Sequence, residues 1–160
     1  MKTVQSISVV EDVTLVSLHD SPVDIGAVAD IFEKLAAAGV DVDMISQTPP
    51  HRNIPDISFT VSGEDMGRVM TVSAELRAQH PDLKLSVSGG HCKISVFGEA
   101  MRGCPGIASR VFAAVAETKA DIIMIPTSEV DISLLVAKED MENTVTAFET
   151  AFASRITLDK

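Results

Sequence analysis

Pro105-Gly106-Ile107-Ala108 has the composition of a helix start that would hold an anion. Proline suits a first helical turn, glycine lets another group approach the main chain, and the first N–H groups of a helix lack internal acceptors. With the positive end of the helix dipole they would receive a carboxylate. Gly26-Ala27 opens another apolar-periodic stretch. Either glycine would equally serve only to begin its helix. Cys104 stands just before the Pro105-Gly106 helix start, where a thiolate is favoured, but no base accompanies it and an inert thiol is the plainer reading. His91-Cys92 are adjacent strand residues that face opposite sides, with no second pair at zinc spacing, so neither a metal nor a cofactor is expected. A disulfide between Cys92 and Cys104, the two cysteines of the chain, is excluded by the strand expected between them. Gly89-Gly90 reads as a turn, and no glycine-rich loop with its lysine is present to cradle a phosphate. Glu64-Asp65 and Glu139-Asp140 read as caps of helices.

The elements that would position these residues come in two copies. Gly26-Ala27-Val28-Ala29-Asp30-Ile31-Phe32 aligns with Gly106-Ile107-Ala108-Ser109-Arg110-Val111-Phe112 at an offset of 80, which carries Asp41 onto Asp121, Met44 onto Met124 and Ile45 onto Ile125. After a loop five residues longer and proline-rich in the first copy, the offset becomes 75. Asp56-Ile57-Ser58 then falls on Asp131-Ile132-Ser133, and Glu64-Asp65-Met66 on Glu139-Asp140-Met141. Residues 13–18 alternate with a period of two, and Val28, Ile31, Phe32 and Leu35 form a helical stripe that ends at Gly39. Strands over 40–47 and 57–61, a helix marked by Met66, Val69, Met70, Ser73 and Leu76 and stopped at His80-Pro81, and a strand over 83–87 complete a β-α-β-β-α-β unit. The second copy repeats this with a strand over 94–97, a helix over 105–119, strands over 122–125 and 132–136, and a helix carrying Met141, Val145, Phe148 and Phe152. Residues 155–160 are too short for its fourth strand, whereas Val4 to Val10, before Glu11-Asp12, form a strand-like segment that the first copy does not use.

The expected fold is therefore α+β, two ferredoxin-like βαββαβ units with antiparallel sheets and helices on one face. The first unit, 11–88, is inserted in the second, 89–160, which the strand from 1–10 completes. The other sheet face would need cover, which a partner chain could provide. Composition supports folding: 160 residues, 46% hydrophobic and 22% charged. With 13 Lys and Arg against 23 Asp and Glu, the net charge of -10 repels nucleic acid and anionic membranes alike. No apolar run reaches the ~18 residues of a membrane span and no signal-peptide core opens the chain, so a cytoplasmic protein is expected.

Gly98-Glu99-Ala100-Met101-Arg102-Gly103-Cys104-Pro105-Gly106-Ile107-Ala108, followed by Ile123-Met124-Ile125-Pro126-Thr127-Ser128-Glu129-Val130-Asp131-Ile132-Ser133, resembles the second ACT domain of the aspartokinase (aspartate kinase) regulatory region. Its pattern runs Gly-x-Gly-Met, a Pro-Gly helix start, Ile-Ser-Thr-Ser-Glu and an Ile-Ser strand. Asp43-Met44-Ile45-Ser46-Gln47 with Asp56-Ile57-Ser58-Phe59-Thr60 is similar to the first ACT domain of the same region. The resemblance spans nearly the whole chain. The sequence departs from it over residues 18–26, where the turn before the first helix is longer and lacks Pro-Gly. Asp41 and Asp121 stand where the family often has Asn.

The resemblance implies an allosteric regulatory module that binds a free amino acid, such as lysine or threonine, between two ACT units. By position, Gly26, Ala27 and Gln47 would pair with Asp121 and Ile122. Likewise Met101, Gly106, Ile107, Ala108, Thr127 and Ser128 would pair with Asp41 and Val42. Gln47 and Thr127 read equally as solvated strand ends, and Asp41 and Asp121 as turn formers. The repeated Met44 and Met124 read as core. A homodimer and a separate aspartokinase catalytic chain are the protein partners implied, and no catalysis is expected in this chain itself. The competing reading is a ligand-free dimerisation module of the same fold. An enzyme with Cys104 as nucleophile ranks behind both.

Overall fold

A computed structural model describes residues 3–19, 24–48, 56–153 and 156–158. The chain divides into two compact units, Met1–Glu11 with Gly90–Lys160, and Asp12–Gly89. Strand β1 (Ser6–His19) and a second long strand (Lys84–Phe97) each contribute to both. Within Asp12–Gly89 the chain runs from β1 through helix α1 (Ile25–Ala37), strands β2 (Val42–Gln47) and β3 (Ile57–Ser62) and helix α2 (Met66–Gln79) into the second long strand, β4. From β4 the other unit repeats that order with α3 (Ile107–Thr118), β5 (Ile122–Met124), β6 (Asp131–Ala137) and α4 (Met141–Phe152). The early half of β1 serves it as a further strand, so one βαββαβ unit is inserted in the other. The hydrogen-bonded strand order is β2-β3-β1-β4-β6-β5.

The alternation seen in the sequence sets the buried faces. Val16 and Leu18 of β1, Phe59 and Val61 of β3, Ile31 and Leu35 of α1, and Val69 and Leu76 of α2 form the core of the inserted unit. Phe32 packs on Phe59 with ring centroids 5.2 Å apart. Ile94 and Val96, Leu134 and Val136, Val111 and Val115, and Phe148 form the other core. Each such side chain contributes about 1.5–3 kcal/mol when fully buried, which outweighs any single cap or surface ion pair. Met44 and Met124 are buried, as their repeated placement implies.

Several local expectations need correction. Neither Glu11-Asp12 nor Gly89-Gly90 interrupts its strand: Asp12 and Gly90 adopt positive φ, 55° and 79°, and the strand continues past each. The C-terminal segment is a strand after all. Ile156–Leu158 forms β7, parallel to β1 in the register Ile7↔Ile156 and Val9↔Leu158, because pairing with an existing strand needs only three residues. Helix α3 starts at Ile107, leaving Pro105 before it instead of in its first turn. Met70 is half exposed on α2, where the 3.6-residue period from Val69 selects Val72, Ser73 and Leu76. Asp65 and Asp140 cap no helix with their side chains. Asp65 takes the Arg68 guanidinium, and the Asp140 carbonyl accepts from the Thr144 hydroxyl at 2.8 Å. Ser17, Thr60, Ser95, Ser133 and Leu135, on the sheet faces away from the helices, are buried within the chain, so these positions do not await a partner's cover. The middle of the lengthened turn, residues 20–23, and the proline-rich loop, 49–55, lie outside the described residues.

Candidate functional site

The helix start expected to hold an anion is open. Gly106 is the N-cap of α3 at φ 95°, a left-handed conformation that favours glycine, and no side chain caps this end. The first-turn N–H groups, those of Ile107 and Ala108 among them, therefore have no intrahelical acceptor. Arg110 is the first whose N–H finds one, the Gly106 carbonyl at 3.1 Å. Met101 and Ile107 turn their side chains into the core, so they present only main chain here.

The loop leading to α3 is fixed by close backbone contacts. The Gly98 N–H donates to the Val130 carbonyl at 2.9 Å, and Gln5 N–H to the Phe97 carbonyl at 2.8 Å. A Cβ on Gly98 would fall 2.0 Å from the Thr3 carbonyl oxygen, so only glycine admits the N-terminal segment. Arg102 reaches Glu129 at 3.0 Å, linking this loop to the turn between β5 and β6. Both partners are well exposed, so the pair orients more than it stabilises.

That turn carries Thr127 and Ser128. Thr127 bridges to Ile132, Ser133 N–H donates to the Pro126 carbonyl at 3.0 Å, and Ser128 N–H to the Asp131 carbonyl at 2.8 Å. Since Phe97 pairs with Asp131 in the β4–β6 register, residues 98–108 and 126–131 occupy the same end of their unit. Asp121 and Ile122 lie at the opposite end, where Ile122 pairs with Val136. In the inserted unit Leu18 and Gln47 both pair with Ile57, so Gln47 shares an end with the β1–α1 connection, while Val42, next to Asp41, pairs with Val61 at the other. The structure thus groups Gly106, Ala108, Thr127 and Ser128, and separates Asp41, Val42, Asp121 and Ile122 from the helix starts of their own units.

The two helix starts differ. At α1 the Asp24 carboxylate accepts the Ala27 N–H at 2.8 Å, so a resident anion already occupies the position that a ligand carboxylate would take. Gly26 lies under the same carboxylate, a Cβ there falling 3.2 Å from Asp24 Oδ1. Aspartate two residues before Gly26 is a familiar N-cap signal, which the sequence reading passed over in favour of the glycine. Also missed were Asp131, whose N–H donates to Ser128 Oγ at 3.1 Å, and Ser133, whose hydroxyl donates to Asp131 Oδ2 at 2.7 Å, although the spacing Asp131-Ile132-Ser133 puts both polar side chains on one face of a strand.

Other parts of the surface offer less. Grooves of about 730 Å³ between α3 and α4 and about 470 Å³ between α1 and α2 contain none of the expected site residues. Among the described residues no group of His, Cys, Asp and Glu is arranged to hold a metal, and no helix is long and apolar enough to cross a membrane. Cys104 is exposed and Cys92 buried, both as thiols.

Comparison with known proteins agrees with this architecture. A family model of the ACT domain matches residues 94–152. The aspartate kinase of Stutzerimonas stutzeri strain A1501 is 34% identical over 139 residues, 87% of this chain and 33% of that protein. The chain thus spans about one third of the length of the curated relatives it matches. The ligand-free regulatory subunit of aspartate kinase from Thermus thermophilus superposes with a TM-score of 0.87 at 30% identity, over 94% of this chain and 99% of that one. A crystal structure of aspartokinase alpha and beta subunits does so with a TM-score of 0.82 at 30% identity, again over 94% and 99%. The helix starts, turns and inserted unit described above, together with these matches, show that the chain belongs to the tandem ACT-domain regulatory regions of the aspartokinase family.

Proposed function

We propose that the chain is an allosteric module that senses a small free amino acid, with lysine and threonine the first candidates, and passes the signal to an aspartokinase catalytic chain in the cytoplasm. The observation that carries this reading is the uncapped start of α3 beside the Thr127-Ser128 turn, a set of main-chain and hydroxyl donors held at one end of a unit. The ligand carboxylate meets the N–H groups of Ile107 and Ala108. Its ammonium is met by an acidic strand start, Asp41 with Val42 or Asp121 with Ile122, presented by another ACT unit. Gly26, Ala27 and Gln47 form the equivalent end of the inserted unit, where Asp24 competes for the carboxylate position. Binding acts by favouring one of two conformations or assemblies, which requires the ligand to prefer that state.

A second reading attaches to α1. A helix start already occupied by its own carboxylate fits a unit kept for assembly, and a homodimer that binds no ligand there is its consequence. The two readings part in a dye-based thermal unfolding screen against the proteinogenic amino acids and diaminopimelate. Trp and Tyr are absent, so a dye replaces intrinsic fluorescence. A ligand at 100 times its Kd adds about 2.7 kcal/mol, a shift of several degrees for a chain of this length. A selective shift supports the sensor. Uniform absence of shift at millimolar concentrations supports the assembly module alone.

A further inference from the structure

Residues 3–5 cross the loop that leads to α3, and that loop depends on them. Gly98 opens the short helical turn Glu99–Met101 and has no side chain with which to cap it. A side chain at this position would collide with the Thr3 carbonyl oxygen. The cap comes instead from Gln5. Its Oε1 accepts the Glu99 N–H at 3.0 Å, while its own main-chain N–H donates to the Phe97 carbonyl at 2.8 Å. Gln5 thus grips the loop on both sides of Gly98. Val4, next to it, is buried in the same core as Met101 and Ile107, so segment and loop share one packed base.

From this grip to the open helix start the loop has little slack. Met101 N–H donates to the Gly98 carbonyl at 2.9 Å and Cys104 N–H to the Met101 carbonyl at 3.0 Å, two tight turns in succession that end just before Pro105-Gly106. The buried side chains of Met101 and Ile107 pin this stretch at either end. Displacing the α3 start therefore strains the Glu99 bond, and holding the start steadies it. The inserted unit ties its corresponding strand differently. There the early half of β4 follows α2 through a tight turn, with His80 N–H donating to the Leu76 carbonyl at 2.8 Å and Leu83 N–H to the His80 carbonyl at 3.0 Å. In the other unit the Gln5 contacts supply that tie, and they join the strand to the candidate site instead of to a helix end.

Resting on the amino-acid-sensing function above, we propose that residues 3–5 are the output segment of the sensor, and that Gln5 is the residue that couples this segment to the ligand. A ligand held by the first N–H groups of α3 favours the closed loop, and the closed loop holds Gln5. The opening that frees the helix start also breaks the bond between Glu99 and Gln5, so ligand and segment bias one equilibrium. What the ligand changes is how firmly the segment is held to its unit. That is the property a catalytic chain acting at this end would read.

Residue-resolved amide hydrogen exchange on the wild-type chain, Q5M and Q5E, with and without L-threonine or L-lysine, tests this, calorimetry first establishing which of the two binds. In the wild-type chain the bound ligand, at 100 times its Kd, is expected to slow exchange at both Gln5 and Glu99 by roughly tenfold to a hundredfold. Q5M keeps the length of the side chain and removes its strong acceptor. It speeds exchange at Glu99 by roughly twofold to tenfold, the effect of losing one hydrogen bond. It also shrinks the ligand-dependent slowing at residue 5, a change that a merely structural loss would not produce. Gln5 is exposed, so the variant keeps its core and still binds the ligand. Q5E, with a carboxylate oxygen at the same reach, restores the coupling. A ligand that binds yet leaves exchange at Gln5 and Glu99 unchanged, or a Q5M chain that responds as wild type does, overturns the proposal while amino-acid sensing stands. A wild-type chain that binds neither amino acid overturns both.

Discussion

A Cβ at Gly98 would sit 2.0 Å from the Thr3 carbonyl oxygen, a backbone atom that cannot step aside as a side chain does. Gly98→Ala is therefore expected to cost about 1–3 kcal/mol through overpacking, read as a lower midpoint of denaturant unfolding. His91 makes a different kind of statement. Burial pushes its pKa below the ordinary 6.5. Below pH 6.5 the unfolded chain takes up a proton at this residue that the folded chain resists, so stability falls with falling pH. Well above that value both states are neutral at His91 and it adds no slope. His91→Gln should flatten the decline of Tm between pH 6.5 and about 5.5, before carboxylates begin to titrate. A decline as steep as in the wild-type chain would assign the effect to other groups.

Among the elements, α1 and α3 show how one repeat yields two different helix starts. Asp24→Ala removes the side-chain cap of α1 and should cost about 1 kcal/mol in chemical unfolding, while α3, uncapped, has no equivalent residue to remove. The helices, both hairpin strands of each repeat and the insertion of one unit in the other were legible because periodicity and the two offsets point to them independently. The continuity of β1 and β4 was not. Glu11-Asp12 and Gly89-Gly90 carry turn-forming residue types, and only the dihedral angles show that a single left-handed residue lets each strand run on. β7 escaped notice because three residues have no period of their own and owe their conformation to β1. At the candidate site the donors of the α3 start were foreseen from Pro105-Gly106. The bonds that hold the Ser128 oxygen were not, since they depend on how closely the Val130 and Asp131 N–H groups return to it in the turn.

For the whole molecule, the account rests on one end of one unit being a receptor for a free amino acid. The tandem arrangement, the match to a regulatory subunit over 99% of its length and the open start of α3 lead to this together. The most direct measurement follows backbone amide resonances of the uniformly labelled chain during titration with L-threonine and L-lysine. The account predicts saturable shifts, with one of the two, that centre on Gly106, Ile107, Ala108, Thr127 and Ser128. A spectrum unmoved at millimolar concentrations of both, or shifts confined to Gly26, Ala27 and Gln47, would contradict it.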